Sequence, residues 1–172
     1  MTVIPFPLDL EKCFPVEKYQ ARELLGLPLD CHIVLFGAIK GTMDSRKGVD
    51  LLSEAIHYLS QKASQSPLDN VHPVVFCQTA SESQACGSPV GAFKSCGLID
   101  VVDHQITGVL AHPFDSHSLR LEIRWVLEDK QRLNILGESA RQRAEKLWSY
   151  KRVASLSSNL FKEVVESSKE KD

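Results

Sequence analysis

The chain has 172 residues, enough for one domain with a sizeable core but too few for two full ones. Its 43% apolar and 24% charged residues and its formal net charge of -2 are typical of a globular domain and give no reason to expect nucleic acid or an anionic membrane as a partner. No window reaches the roughly 20 apolar residues of a membrane span, and the N-terminus lacks a signal-peptide pattern. The five cysteines are widely spaced and include no CxxC pair, so we expect a cytoplasmic protein with no metal site and no disulfide framework. We also expect no cofactor.

The first half of the chain predicts strands that alternate with helices. Residues 1–15, rich in proline and aromatic residues, predict an extended linker and not part of a core. A helix is predicted from Val16 to a stop at 26–28, where glycine and proline occur. The apolar run 32–38 predicts a strand buried on both faces, and apolar residues at helical spacing over 49–59 predict an amphipathic helix.

Further strands are predicted at 72–77, 90–93 and 108–111, with a short helix around Glu82 after the first of them. Parallel pairing is expected, because a parallel connection needs a crossover and the helices supply it. The pattern therefore predicts an α/β fold with a Rossmann-like parallel sheet of about four strands. From Asp115 the pattern is helical. These C-terminal helices complete a predicted domain at 16–166, followed by a frayed tail at 167–172.

A loop that begins at Gly37 and ends at Gly48 is the first candidate site. Ligands of parallel α/β sheets bind at the carboxyl ends of the strands, where helix N-termini offer free N–H groups to anions. Arg46 and Lys47 directly precede the predicted helix, and two cations there suit a diphosphate. On local pattern alone, a solvated basic turn is the simpler interpretation.

Glu82 is the second candidate, because a carboxylate near the head of its helix can accept hydrogen bonds from the paired hydroxyls of a sugar. Taken alone, this position favours helix stabilisation, worth about 0.3–1 kcal/mol. We expect His104 and His112 to be surface histidines and Cys86 to be a buried apolar side chain, because no neighbouring residue supplies a catalytic partner. No catalytic residue is assigned.

Four stretches resemble, in order and spacing, motifs of one enzyme family. They are VIPFPLDLEKCFP, RKGVDLL, ESQACGSPVGAF and GLIDVVDHQITGVLAHPFD. They are similar to the interdomain segment, the phosphate-facing loop, the second-glutamate motif and the segment that follows it in glycosyltransferase family 4, also called group 1. The chain thus resembles the C-terminal, donor-binding half of a retaining GT-B glycosyltransferase.

The resemblance implies a nucleoside-diphosphate sugar as the donor of a hexosyltransferase. Lys47, with Arg46 and Gly37 beside it, then corresponds to the lysine that holds the donor diphosphate. Glu82 corresponds to the second glutamate of the Glu-x7-Glu motif, which binds the donor ribose. A separate N-terminal glycosyltransferase domain is the implied partner.

Three departures from the family pattern predict a truncated chain that is inactive alone. The first glutamate is replaced by Val74, the arginine after the first strand is replaced by Ala38, and about 40 residues, two βα units, are missing before Thr79. The acceptor-binding domain is also missing from this sequence. The alternative is a non-catalytic α/β module that binds a partner protein or a nucleotide.

The missing units also predict how the strands pair. Because the family order 3-2-1-4-5-6 loses its third and fourth strands, the helix at 79–86 should bring strand 90–93 beside 33–36. Apolar surface should be exposed where elements were lost, and self-association should follow.

Overall fold

The computed structural model describes residues 3–37, 48–61, 70–76, 79–95 and 97–169. Within these ranges, the chain order is α1 (Lys18–Leu25), β1 (His32–Gly37), α2 (Val49–Gln61), β2 (Val71–Phe76), α3 (Ala80–Ala85), β3 (Val90–Phe93), α4 (Leu98–Val101), β4 (Gly108–Ala111), α5 (Ser116–Leu127), α6 (Lys130–Trp148) and α7 (Tyr150–Lys169). The predicted α/β class and its C-terminal helices are confirmed. None of the helices in these ranges combines the length and apolar composition that a membrane crossing requires.

The strands form two separate parallel pairs in the part of the chain that the structure describes. β1 pairs with β2 from His32 opposite Val71 to Gly37 opposite Phe76. β3 pairs with β4 along its whole length, starting with Val90 opposite Gly108. The expectation of one four-stranded sheet with β3 beside β1 is therefore wrong.

A close backbone approach explains why β3 pairs with β4. A Cβ atom on Gly108 would lie only 2.1 Å from the carbonyl oxygen of Val90, so the glycine allows the two strands to meet. The alternation of strands and helices predicts parallel pairing, but it does not specify which strands pair.

A shared core holds the two pairs of strands together. Its buried side chains come mainly from α2 and α5, and Val34, Phe36 and Phe93 of the strands pack against them. The buried members are Leu52, Ala55, Ile56, Leu59, Ala111, Leu119 and Ile123. Helices thus provide the connection between β1–β2 and β3–β4.

The segment before α1 packs against the domain, contrary to the expectation that it would contribute nothing to a core. Leu8, Leu10 and Cys13 cover a second cluster formed by Ala85, Ala144 and Trp148. The amide of Leu8 donates to the carbonyl oxygen of Trp148 at 2.7 Å. This segment makes a turn at residues 10–12, and it lies across α3 and α6.

Helix ends follow local sequence signals. Glu17 caps α1 by accepting from the amide of Gln20, and Gly26 ends the helix with φ 64°. Positive φ is a conformation that glycine adopts without the steric cost of a Cβ atom. Asp115 and Asp129 cap α5 and α6 with their carboxylates.

Candidate functional site

The first candidate loop lies between the end of β1 and the start of α2. Gly37 is the last residue of β1, whereas Arg46 and Lys47 lie outside the described residues. Gly48 is the next described residue, and a Cβ atom on it would lie 3.5 Å from Cε2 of Phe93. The start of α2 therefore lies beside the end of β3, at the carboxyl edge where the site was predicted.

Glu82 lies in the first turn of α3 and forms a capping box with Thr79. Its Oε2 accepts hydrogen bonds at 2.7 Å from both the amide and the hydroxyl of Thr79. In return, the amide of Glu82 donates to Thr79 Oγ1 at 3.2 Å. This exchange satisfies two N–H groups that the first turn of a helix leaves free, so the carboxylate has the stabilising role that local pattern predicted.

The capping box leaves part of the Glu82 carboxylate available. Within the described residues, both of its hydrogen bonds go to Oε2, and Oε1 receives none. The side chain is half-buried, so solvent or a ligand can reach it. One oxygen can therefore orient the side chain while the other accepts a hydrogen bond from a hydroxyl group.

Gln84 is a buried side chain that links α3 to α4. It is fully buried, and its Nε2 donates to the carbonyl oxygen of Val101 at 3.0 Å, which joins α3 to the end of α4. Nothing in the local pattern distinguishes this glutamine from an exposed helical residue, so sequence reasoning missed it. Its effect is to fix the helix that carries Glu82.

Residues 85–87, the turn between α3 and β3, lie between the N-terminal segment and α6. Arg141 of α6 places one nitrogen, Nη1, 2.7 Å from the carbonyl oxygen of Cys13 and 2.6 Å from that of Ala85. Gly137 approaches so closely that a Cβ atom there would lie 2.3 Å from the carbonyl oxygen of Gly87. These contacts span large sequence separations, so no local motif predicts them.

The remaining candidates have structural surroundings. His104 and His112 are exposed, as predicted, and Nδ1 of His104 accepts from the amide of Leu110 at 3.0 Å. Cys86 is half-buried, and burial is the main cause of its raised thiol pKa. Val74 occupies the middle of β2 opposite Leu35, so the position expected for the first glutamate lies within a strand. No cluster of three metal-binding side chains occurs in the described ranges.

Comparisons with known proteins agree with this geometry. Residues 71–143 match the family model described as Glycosyl transferases group 1. Over 79 residues the chain is 37% identical to D-inositol 3-phosphate glycosyltransferase of Thermobispora bispora, a match that covers 45% of this chain and 18% of that protein.

The fold is similar to those of several solved structures. Sucrose-phosphate synthase from Thermosynechococcus elongatus matches with a TM-score of 0.77 and 25% identity over 95% of this chain and 52% of its own. HepE from Anabaena, solved in complex with UDP, matches with a TM-score of 0.72 and 18% identity over 96% of this chain and 57% of its own. The C-terminal domain of LpcC from Francisella tularensis, a glycosyl transferase group 1 family protein, matches with a TM-score of 0.64 and 15% identity over 83% of this chain and 99% of its own.

The fold is that of the C-terminal GT-B domain of glycosyltransferases. Within this class, residues 71–143 are similar to group 1 glycosyltransferases, which agrees with the resemblance of the motifs. The chain spans about half the length of the sucrose-phosphate synthase and HepE chains, at 52% and 57%.

Proposed function

We propose that this chain is the nucleotide-sugar donor-binding half of a retaining hexosyltransferase and transfers no sugar by itself. The observation that carries the proposal is the position of Glu82 in the segment that matches the group 1 family, at the head of α3 and with Oε1 open. The HepE structure contains UDP, which makes a uridine nucleotide the first ligand to test.

In this proposal, Lys47 and Arg46 hold the donor diphosphate close to the amide groups at the start of α2, and Gly37 leaves room for it at the end of β1. Glu82 accepts the ribose hydroxyls through Oε1 while Thr79 holds Oε2. Hydrogen bonds from hydroxyls to a carboxylate are charge-assisted and stronger than bonds between neutral groups.

Two features explain why we expect no turnover from the chain alone. Val74 supplies no carboxylate at the position that would contact the donor sugar. An acceptor must also be held against the donor, and the loss of such positioning can cost about 7–11 kcal/mol of barrier lowering. A separate N-terminal glycosyltransferase domain would supply the acceptor side.

Titration calorimetry with UDP, GDP and pyrophosphate tests the donor site. We expect Lys47→Ala to weaken the binding of all three ligands about tenfold, which corresponds to one lost charge-assisted contact. Glu82→Gln should weaken UDP and GDP by a similar factor and leave pyrophosphate binding unchanged, because pyrophosphate has no ribose. Lys162→Ala and Glu163→Ala on α7 are the matched controls and should bind as the parent does.

The outcomes separate the two parts of the proposal. Equal UDP affinity in the parent, Lys47→Ala and Glu82→Gln would remove the assigned site. Transfer of hexose from UDP-glucose by the purified chain, abolished in Glu82→Gln, would overturn the claim of inactivity.

A non-catalytic module that binds a partner protein or a nucleotide is the second candidate. It is favoured by the use of the Glu82 carboxylate as a helix cap and by the valine at position 74. Under this alternative, Glu82→Gln changes helix stability and has no effect on the affinity for UDP.

A further inference from the structure

Two cysteines lie on segments that run side by side. Arg141 Nη1 holds the carbonyl oxygens of Cys13 and Ala85 at 2.7 and 2.6 Å. Two residues further along both segments, a Cβ atom on Gly87 would lie 3.3 Å from Cγ of Pro15. The two contacts involve Ala85 and Gly87, the residues on either side of Cys86. Cys13 therefore lies close to the turn that contains Cys86.

The state of the two thiols fits this arrangement. Both cysteines are free and half-buried, and Cys13 packs against the cluster that contains Ala85, the residue before Cys86. Burial and then the negative charge that Cys13 would carry raise the pKa of Cys86. A disulfide requires Cα atoms roughly 4.4–6.8 Å apart, and the Arg141 and Pro15 contacts place the two segments side by side.

We propose that Cys13 and Cys86 are a disulfide-forming site, which closes when the chain meets an oxidised low-molecular-weight disulfide of the glutathione type. One cysteine, as its thiolate, attacks a sulfur atom of this co-reactant and releases one small thiolate. The other cysteine thiolate attacks the resulting mixed disulfide and releases the second. The protein loses two electrons and two protons, and the co-reactant is reduced to two thiols.

The bond would fasten the N-terminal segment to the turn that follows α3. This turn already contacts α6 through Gly137 and Arg141, so the disulfide would join three parts of the chain at one point. Burial raises the pKa of both thiols, so little thiolate forms at neutral pH and the closure should accelerate as the pH rises. Formation of this disulfide does not require a bound donor.

Peptide mapping of the oxidised chain tests the pairing. The purified protein is incubated with oxidised glutathione, the remaining thiols are alkylated, and tryptic peptides are compared before and after reduction. Cys13 lies in the peptide 13–18 and Cys86 in the peptide 63–94, which also contains Cys77. We expect a linked 13–18 and 63–94 pair that disappears on reduction.

Single substitutions assign the bond within these peptides. Cys13→Ser and Cys86→Ser should each abolish the linked pair, and Cys77→Ser should retain it. Cys31→Ser is the matched control, because Cys31 is the third free and half-buried cysteine of the described residues. Circular dichroism of each variant shows that it is folded, and Cys→Ala versions replace any that is not.

The result decides the proposal in either direction. A linked pair that persists in Cys86→Ser but is lost in Cys77→Ser would overturn it. Glutathione adducts on Cys13 and Cys86 without a linked peptide would also overturn it. Loss of the specific pairing when oxidation is carried out in urea would support it, because the fold then brings the thiols together.

Discussion

At the scale of single residues, His32 gives the fold a pH dependence. Burial and then the positive charge of Arg22 lower its pKa below the ordinary value of 6.5. The unfolded chain therefore binds a proton more readily than the folded chain. Stability is constant with respect to this group above pH 6.5, and it falls as the pH drops below 6.5 toward the folded-state pKa.

We expect His32→Gln to remove this part of the loss of stability below pH 6.5, because glutamine does not titrate. Urea unfolding at a series of pH values measures the effect. His112→Gln, at an exposed histidine, is the control and should keep the slope of the parent. The same slope in His32→Gln and the parent would contradict the prediction.

Single residues also show what local sequence can predict. Thr79 and Glu82 are three positions apart, a spacing that allows their side chains and amides to exchange hydrogen bonds, and helix stabilisation by Glu82 was predicted. Their role in donor binding stays a prediction, because Arg46 and Lys47 lie outside the described residues. Arg141 and Gln84 could not be identified, since their partners are distant in sequence.

At the scale of elements, α6 packs against the turn at 85–87 through a glycine. We expect Gly137→Ala to destabilise the fold by about 1–3 kcal/mol, the usual cost of overpacking. Alanine favours a helix by about 1 kcal/mol over glycine, but its Cβ would lie 2.3 Å from the carbonyl oxygen of Gly87, which must then move. Urea unfolding measures the change in the free energy of unfolding.

Gly97→Ala provides the control for this substitution. A Cβ atom at Gly97 has no heavy atom within 4 Å, so its effect should stay within about 0.5 kcal/mol. A Gly137→Ala variant as stable as the parent would show that α6 shifts without cost.

The elements were easier to predict than their pairing. The helical spacing of apolar residues predicted α2, and the glycine at position 26 predicted the end of α1. The partner of β3 depends on the approach of Gly108 to Val90, two residues whose contact is not encoded in either segment alone. Short-range pattern thus predicted the α/β fold class, whereas the division into two strand pairs follows from packing between distant segments.

At the scale of the whole molecule, α7 carries a group of exposed apolar side chains. Phe161 is 69% exposed, and Val164 and Val165 lie next to it on the same helical face. On the N-terminal segment, Phe6 is 94% exposed. Exposed apolar patches usually mark surfaces that contact other proteins or membranes.

We expect the chain to self-associate at high concentration, and light scattering against concentration measures the association. Phe161→Glu should weaken it about tenfold or more, because burial of an aromatic side chain contributes about 1.5–3 kcal/mol. Phe114→Glu changes another exposed phenylalanine, outside α7, and should have little effect. A single monomeric species at all concentrations would contradict this prediction.

The bond from Leu8 to Trp148 brings the entry and the exit of the α/β unit together. The distance from the amide nitrogen of Leu8 to the carbonyl oxygen of Trp148 is 2.7 Å, and Leu8 also forms an isolated parallel β-bridge with Ser149. The two ends of the segment 8–149 are therefore adjacent. Units with adjacent ends can be inserted into a host chain or circularly permuted without strain on the connections. Residues 8–149 can therefore be inserted into another protein as one unit. The helix α7 follows directly after the point where the two ends of this unit meet.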